Sequence, residues 1–207
     1  MNKYITELIG AFFLVFVIAL TGNPLAIGAI LMVMVYMGGP ISGGHYNPAV
    51  SLGVYIRGKL SLNDFLIYSA FQIIGGLIAA LIFLYLSGRQ FAPATGFDMP
   101  FLKSLIAEFI FTFALVLVVL NTATNPKSAG NSYFGLAIGF TVMAGAFAVG
   151  PISGGVFNPA VAIGPIIVDT ISGGNSVSNL ALYLIGPLAG GLAAGVMYKV
   201  MNPDEAK

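Results

Sequence analysis

Gly39-Pro40-Ile41-Ser42-Gly43-Gly44-His45-Tyr46-Asn47-Pro48-Ala49-Val50 recurs in the second half of the chain as Gly150-Pro151-Ile152-Ser153-Gly154-Gly155-Val156-Phe157-Asn158-Pro159-Ala160-Val161, identical at ten of twelve positions. One Asn-Pro-Ala is an ordinary turn. Two copies inside near-identical dodecamers are an internal repeat. Asn is a favoured helix N-cap, and Pro suits the first helical position, where its missing N–H has no helical partner to lose. Each dodecamer therefore predicts a Gly-rich extended run entering a helix at Pro48 or Pro159. The apolar-flanked segments around them, 41–56 and 152–167, carry Gly and Pro and only about ten helix-compatible residues each. That is about half of the roughly 20 residues needed to cross a hydrocarbon core about 30 Å thick.

Working outward, six stretches are long and apolar enough to span: 4–20, 25–39, 63–86, 101–120, 132–149 and 178–200. Lys3 ahead of the first imitates a signal peptide, but Glu7 within it and a second span close behind argue against that reading. Glu7 is mirrored by Glu108 in the fourth span, and Gly75-Gly76 in the third by Gly190-Gly191 in the sixth. The chain thus reads as one domain, 1–207, made of a first repeat, 1–97, and a second, 98–207, joined through 91–100. Three spans per repeat forces the two repeats into opposite topology, so the short segments enter from opposite sides as half-helices. The expected fold is an all-α membrane protein with six transmembrane helices and two re-entrant half-helices in inverted repeats.

Composition agrees. The 207 residues are 58% hydrophobic and 7% charged, with mean hydropathy +0.97, whereas a soluble domain carries about 25% charged residues. A net charge of +1 disfavours nucleic acid as a partner. With no Cys and the single His45, there is no basis for a thiolate or histidine metal site, a disulfide or a Ser-His-Asp triad. No cofactor is expected and no enzyme chemistry is indicated. With a cytoplasmic N-terminus, Lys3, Arg57, Lys59, Lys127, Lys199 and Lys207 fall inside and only Arg89 and Lys103 outside, which favours both termini in the cytoplasm.

A helix N-terminus held at mid-membrane turns unpaired N–H groups and the positive end of its dipole into the space before it. Two such ends facing each other disfavour cations, and the amides of Asn47 and Asn158 can donate to a passing oxygen. Before each Asn, extended backbone offers acceptor carbonyls: Gly43, Gly44, His45 and Tyr46 in one loop, and Gly154, Gly155 and Val156 in the other. A polar track on an apolar wall suits neutral solutes. An intramembrane carboxylate needs partners, so Glu7 and Glu108 are expected to brace the loops, with Pro48, Ala49, Pro159 and Ala160 supporting the half-helix starts. His45 is expected to bond neighbouring loop groups rather than act as a ligand. The Gly pairs of spans three and six predict close helix packing.

On Ser42 to Val50, Asn158-Pro159-Ala160 and the paired Glu7 and Glu108, the sequence resembles the major intrinsic protein family of aquaporins and glycerol facilitators along essentially its whole length. The resemblance implies a passive channel for water or small neutral solutes in a cell (inner or plasma) membrane, assembled as a homotetramer with a pore in each subunit. It also implies an outer filter of four residues, which by spacing from the Asn residues are Ile27, Ala146, Gly155 and Val161. The family usually has Arg at the Val161 position and often His at the Ala146 position. Their loss implies a wider, more apolar filter, open to ammonia, carbon dioxide, urea, glycerol or undissociated metalloid acids. Ala162 follows Val161 as in water channels, whereas Tyr183-Leu184 mixes the two subtypes. An ion-coupled secondary transporter is the competing reading, and a leaky cation pore is a further one.

Overall fold

The computed structural model describes residues 1–205, so Lys207 of the charge count lies outside the described residues. Among the described residues eight α-helices run in order: α1 (Asn2–Thr21), α2 (Pro24–Ser42), α3 (Pro48–Ile56), α4 (Leu62–Ser87), α5 (Phe101–Ala123), α6 (Phe134–Ser153), α7 (Pro159–Ile171) and α8 (Leu180–Met201). Among the described residues there is no strand, and six helices are long and apolar enough to cross a membrane: α1, α2, α4, α5, α6 and the segment Ser176–Met201 containing α8. The short helices α3 and α7 are the two half-helices.

Boundaries follow local chemistry. Asn23 caps α2 by accepting from the Leu25 N–H at 2.9 Å, with Pro24 at the first helical position. Ser61 caps α4 through the Asp64 N–H at 3.0 Å. Two spans run longer than the hydropathy suggests. The stretch 25–39 extends to Ser42 and 132–149 to Ser153, through Pro40 and Pro151. A proline this close to a C-terminus removes one backbone bond without breaking the helix. The helices then end at Gly43 and Gly154, whose left-handed φ of 92° and 89° lets their N–H groups bond the Gly39 and Gly150 carbonyls at 3.0 and 2.9 Å.

The packing is internally mirrored. Helix α1 lies along α4 as α5 lies along α8, and α2 against α6 joins the two sets. Each half-helix packs on a long helix of the other half of the chain, α3 on α8 and α7 on α4. Glycines make this approach possible. A Cβ at Gly191 would fall onto the Ala49 carbonyl oxygen, and one at Gly76 would lie 2.5 Å from that of Ala160. The Ala of each Asn-Pro-Ala thus seats directly on one glycine of the opposite pair.

Polarity is distributed inside out relative to a water-soluble bundle. Phe13, Ile110, Phe140 and Val196 are 40–51% exposed, while Glu7, Gln72 and Glu108 are fully buried. Hydrocarbon surroundings account for both observations, since apolar side chains lose nothing there and unpaired polar ones lose much.

Candidate functional site: a pore between two half-helices

The loop before α3 hangs on one carboxylate. Glu7 Oε1 accepts from Ser42 Oγ at 2.6 Å and from the His45 N–H at 3.0 Å. Its Oε2 accepts from the Tyr46 N–H at 2.6 Å and from Gln72 Nε2 at 2.8 Å. Glu108 does the same in the loop before α7: Oε1 takes Ser153 Oγ at 2.7 Å and the Val156 N–H at 3.0 Å, and Oε2 takes the Phe157 N–H at 2.7 Å. A buried carboxylate is tolerated when its lone pairs are filled by donors. Tyr68 and Tyr183 clamp the same loops by donating to the Ser42 and Ser153 carbonyls, both at 2.8 Å.

Held this way, the backbone makes the same turn twice. Tyr46 and Phe157 adopt φ of 52° and 51°, a left-handed conformation that bulky residues keep only under constraint. The turn delivers Asn47 and Asn158 to their caps, where each Oδ1 accepts from the N–H of Ala49 or Ala160 at 2.8 and 2.9 Å. With Oδ1 so fixed, each amide nitrogen points to the other loop. Asn47 Nδ2 donates to the Phe157 carbonyl at 2.9 Å, and Asn158 Nδ2 donates to the Tyr46 carbonyl at 3.0 Å. An amide NH₂ carries two hydrogens, so each Asn retains one for a solute.

This changes one expectation. The Tyr46 carbonyl accepts from Asn158, the Tyr46 ring is fully buried with its hydroxyl on the Met34 carbonyl at 2.8 Å, and Tyr46 is absent from the lining of both cavities. Tyr46 therefore supports the wall from behind. Pro48, Ala49, Pro159 and Ala160 are likewise buried at the half-helix starts.

Two cavities flank the loops. One, of ≈ 340 Å³, is lined by Gly44, His45, Asn47, Gly154, Gly155, Val156 and Asn158, and by Ile27, Ala146 and Val161. The structure thus brings the four spacing-derived filter positions into one chamber with both Asn residues. Apart from His45, Asn47 and Asn158, its side chains are all apolar or glycine, among them Leu31, Leu115 and Val142. The second cavity, of ≈ 500 Å³, is lined by Gly43, His45, Lys3, Lys59, Asp64 and Tyr68. His45 borders both cavities, which places it at their junction.

Three features are not evident from the repeat. His45 Nδ1 lies 3.0 Å from Ser51 Oγ, and Gln72 Nε2 reaches both Ser51 Oγ at 3.1 Å and Glu7. The second loop lacks this arrangement, having Val156 and Ala162 at the positions of His45 and Ser51. A lone Gln in an otherwise apolar span was its available signal. Next, residues 91–94 fold into the rim of the first cavity, pinned by the Gly96 N–H donating to the Ile152 carbonyl at 3.1 Å. Read from sequence as a connector, this strap forms a wall. Lastly, Phe157 itself lines the first cavity.

Known proteins share this architecture. The profile of the family "Major intrinsic protein" matches residues 1–198. Aquaporin TIP2-3 of Arabidopsis thaliana is 37% identical over 171 residues, covering 81% of this chain and 66% of that relative. Putative aquaporin NIP4-1 of the same plant is 32% identical over 218 residues, covering 97% and 75%. Among solved structures, the aquaglyceroporin from Plasmodium falciparum superposes with a TM-score of 0.87 over 99% of this chain and 98% of that one, at 20% identity; at that identity the likeness speaks for the fold. With the family profile spanning nearly all of the sequence and the plant relatives above 30% identity, this integral membrane chain belongs to the major intrinsic protein family.

Proposed function

We propose that this chain is a passive transmembrane channel for water and small uncharged solutes. The observation that carries the reading is the reciprocal bonding of Asn47 and Asn158. Two helix N-termini are tied together at the floor of an apolar chamber, each keeping one amide hydrogen for a solute oxygen or nitrogen. Positive dipole ends from both sides raise the energy of a cation there, and a water whose oxygen accepts from both amides is poorly placed to relay a proton. Membership of this family makes the chain a channel protein and not an enzyme.

A second reading concerns the solute. The larger side chains around the first cavity are apolar, and Val161 occupies the position where family resemblance expects Arg. A guanidinium would supply rigid donors and charge. Without it, the chamber favours a wider or less polar range: ammonia, carbon dioxide, urea, glycerol or metalloid acids. An ion-coupled transporter is less well supported, because Glu7 and Glu108 are occupied by loop donors rather than facing either cavity. Family resemblance supports a homotetramer, and the Lys and Arg distribution supports cytoplasmic termini in a cell membrane. The two mirrored sets of helices support a division into inverted repeats 1–97 and 98–207.

Stopped-flow light scattering on proteoliposomes tests the channel. Osmotic or solute permeability should exceed that of empty vesicles, with no dependence on an ion gradient. Permeability equal to empty vesicles for every solute tried would remove the proposal.

A further inference from the structure

The two cavities differ in fixed charge. No Asp, Glu, Lys or Arg lines the first cavity among the described residues. The second is lined by Lys3, Lys59 and Asp64. Lys3 Nζ sits 2.8 Å from Asp64 Oδ1, and Tyr4 donates its hydroxyl to the same oxygen at 2.8 Å, so that carboxylate is locally compensated. Lys59 is exposed and has no carboxylate within salt-bridge distance among the described residues. Its neighbour Arg57 is turned away and buried, donating to the Thr124 carbonyl and the Tyr198 hydroxyl at 2.9 and 2.8 Å.

The Lys59 backbone is set in place by its surroundings. Its N–H bonds the Val54 carbonyl at 3.0 Å, and the Gly58 N–H bonds that of Tyr55 at 2.8 Å. Gly58 turns at φ 85° with no heavy atom near its missing Cβ. The half-helix α3, which carries Asn47 at its start, therefore presents Lys59 just beyond its end. One short rigid element links the mid-pore amide to a cation at the mouth.

Resting on the channel reading above, we propose that Lys59 is a specificity-determining residue: a fixed positive charge that excludes cations at the Lys59 mouth of a pore whose other chamber has no charged wall. Neutral solutes pass it unaffected. Cations arriving from that side meet a depleted local concentration before they reach the Asn pair. The barrier is sided, because the opposite chamber has no counterpart. A unit charge about 5 Å away in water changes local cation concentration roughly fourfold, and charge reversal compounds the effect.

The test uses the full-length protein in planar bilayers and proteoliposomes, with potassium as the probe cation and water and urea as neutral probes. In about 10 mM salt, Lys59→Gln should raise potassium flux about fourfold, and Lys59→Glu on the order of tenfold. Under voltage in symmetric salt, the added current should be carried mainly by ions entering from the Lys59 side, and Lys59→Arg should match wild type. In about 1 M salt, where the screening length falls to about 3 Å, the differences should disappear. Potassium flux unchanged in Lys59→Glu while neutral flux persists overturns the Lys59 proposal and leaves the channel standing. An increase equal at both voltage polarities, or one surviving 1 M salt, also overturns it. Absence of both ion and neutral flux in wild type overturns the two together.

Discussion

The side-chain amide of Asn47 donates to the backbone carbonyl of Phe157 at 2.9 Å, joining two loops 110 positions apart. With its twin from Asn158 to Tyr46, it makes each loop depend on the other. Asn158→Ala would uncap Ala160, worth about 0.5–2 kcal/mol, and leave the buried Tyr46 carbonyl unpaired, worth about 1–3 kcal/mol. Thermal unfolding in detergent should show a loss of about 2–4 kcal/mol, with proton leak rising in vesicles. A variant as stable and as proton-tight as wild type would contradict the cross-loop role.

Glu7 and Glu108 hold N–H groups that would otherwise be buried without partners. Glu7→Ala frees four donors and Glu108→Ala three. Each substitution should cost at least about 1–3 kcal/mol, the penalty for leaving one buried donor without a partner, and more as further donors stay unpaired. Chemical unfolding of the two variants checks this, and a change below about 1 kcal/mol in both would show that the loops stand by other means.

Gly191 and Gly150 make a matched pair of tests. A Cβ at Gly191 collides with the Ala49 backbone, whereas one at Gly150 meets no heavy atom within 4 Å. Gly191→Ala should destabilise by about 1–3 kcal/mol through overpacking and lower neutral flux by moving α3. Gly150→Ala should be neutral or slightly stabilising. Equal effects at the two positions would mean that the half-helix seat is not tight.

Val161 lines the first cavity and is 2% exposed. Val161→Arg should narrow the chamber and add donors, raising the ratio of water to urea or glycerol permeability several-fold. An unchanged ratio would place the selective constriction elsewhere.

The sequence contains no Cys. Mercurials should therefore find no thiol to block, and inhibition of permeability reversed by added thiol would contradict this prediction.

Much of this site was legible before any coordinates. The repeated dodecamer announces two helix starts because Asn and Pro have fixed roles at N-caps, and the recurrence of Glu7 as Glu108 announces a paired buried acceptor. Span ends were less legible. Pro40 and Pro151 look like terminators, yet α2 and α6 pass through them, since a proline near a C-terminus costs only one bond. Residues 91–94 read as a connector because nothing local in that stretch reports that it will fold over the cavity. Gln72 was visible as an isolated amide, but its partners Glu7 and Ser51 lie on other helices.

By itself, the sequence determined the local grammar: six apolar spans, two short helices capped by Asn, and acceptor-rich glycine loops. These depend on side-chain volume, backbone freedom and apolar length, all properties of neighbouring residues. Tertiary structure alone decided which loop residues face the cavities, since Tyr46 is packed behind the wall with its hydroxyl on the Met34 carbonyl and its own carbonyl accepting from Asn158. It also decided which charge faces the pore: Arg57 and Lys59 are two residues apart, and packing buries one against Tyr198 while leaving the other at the mouth.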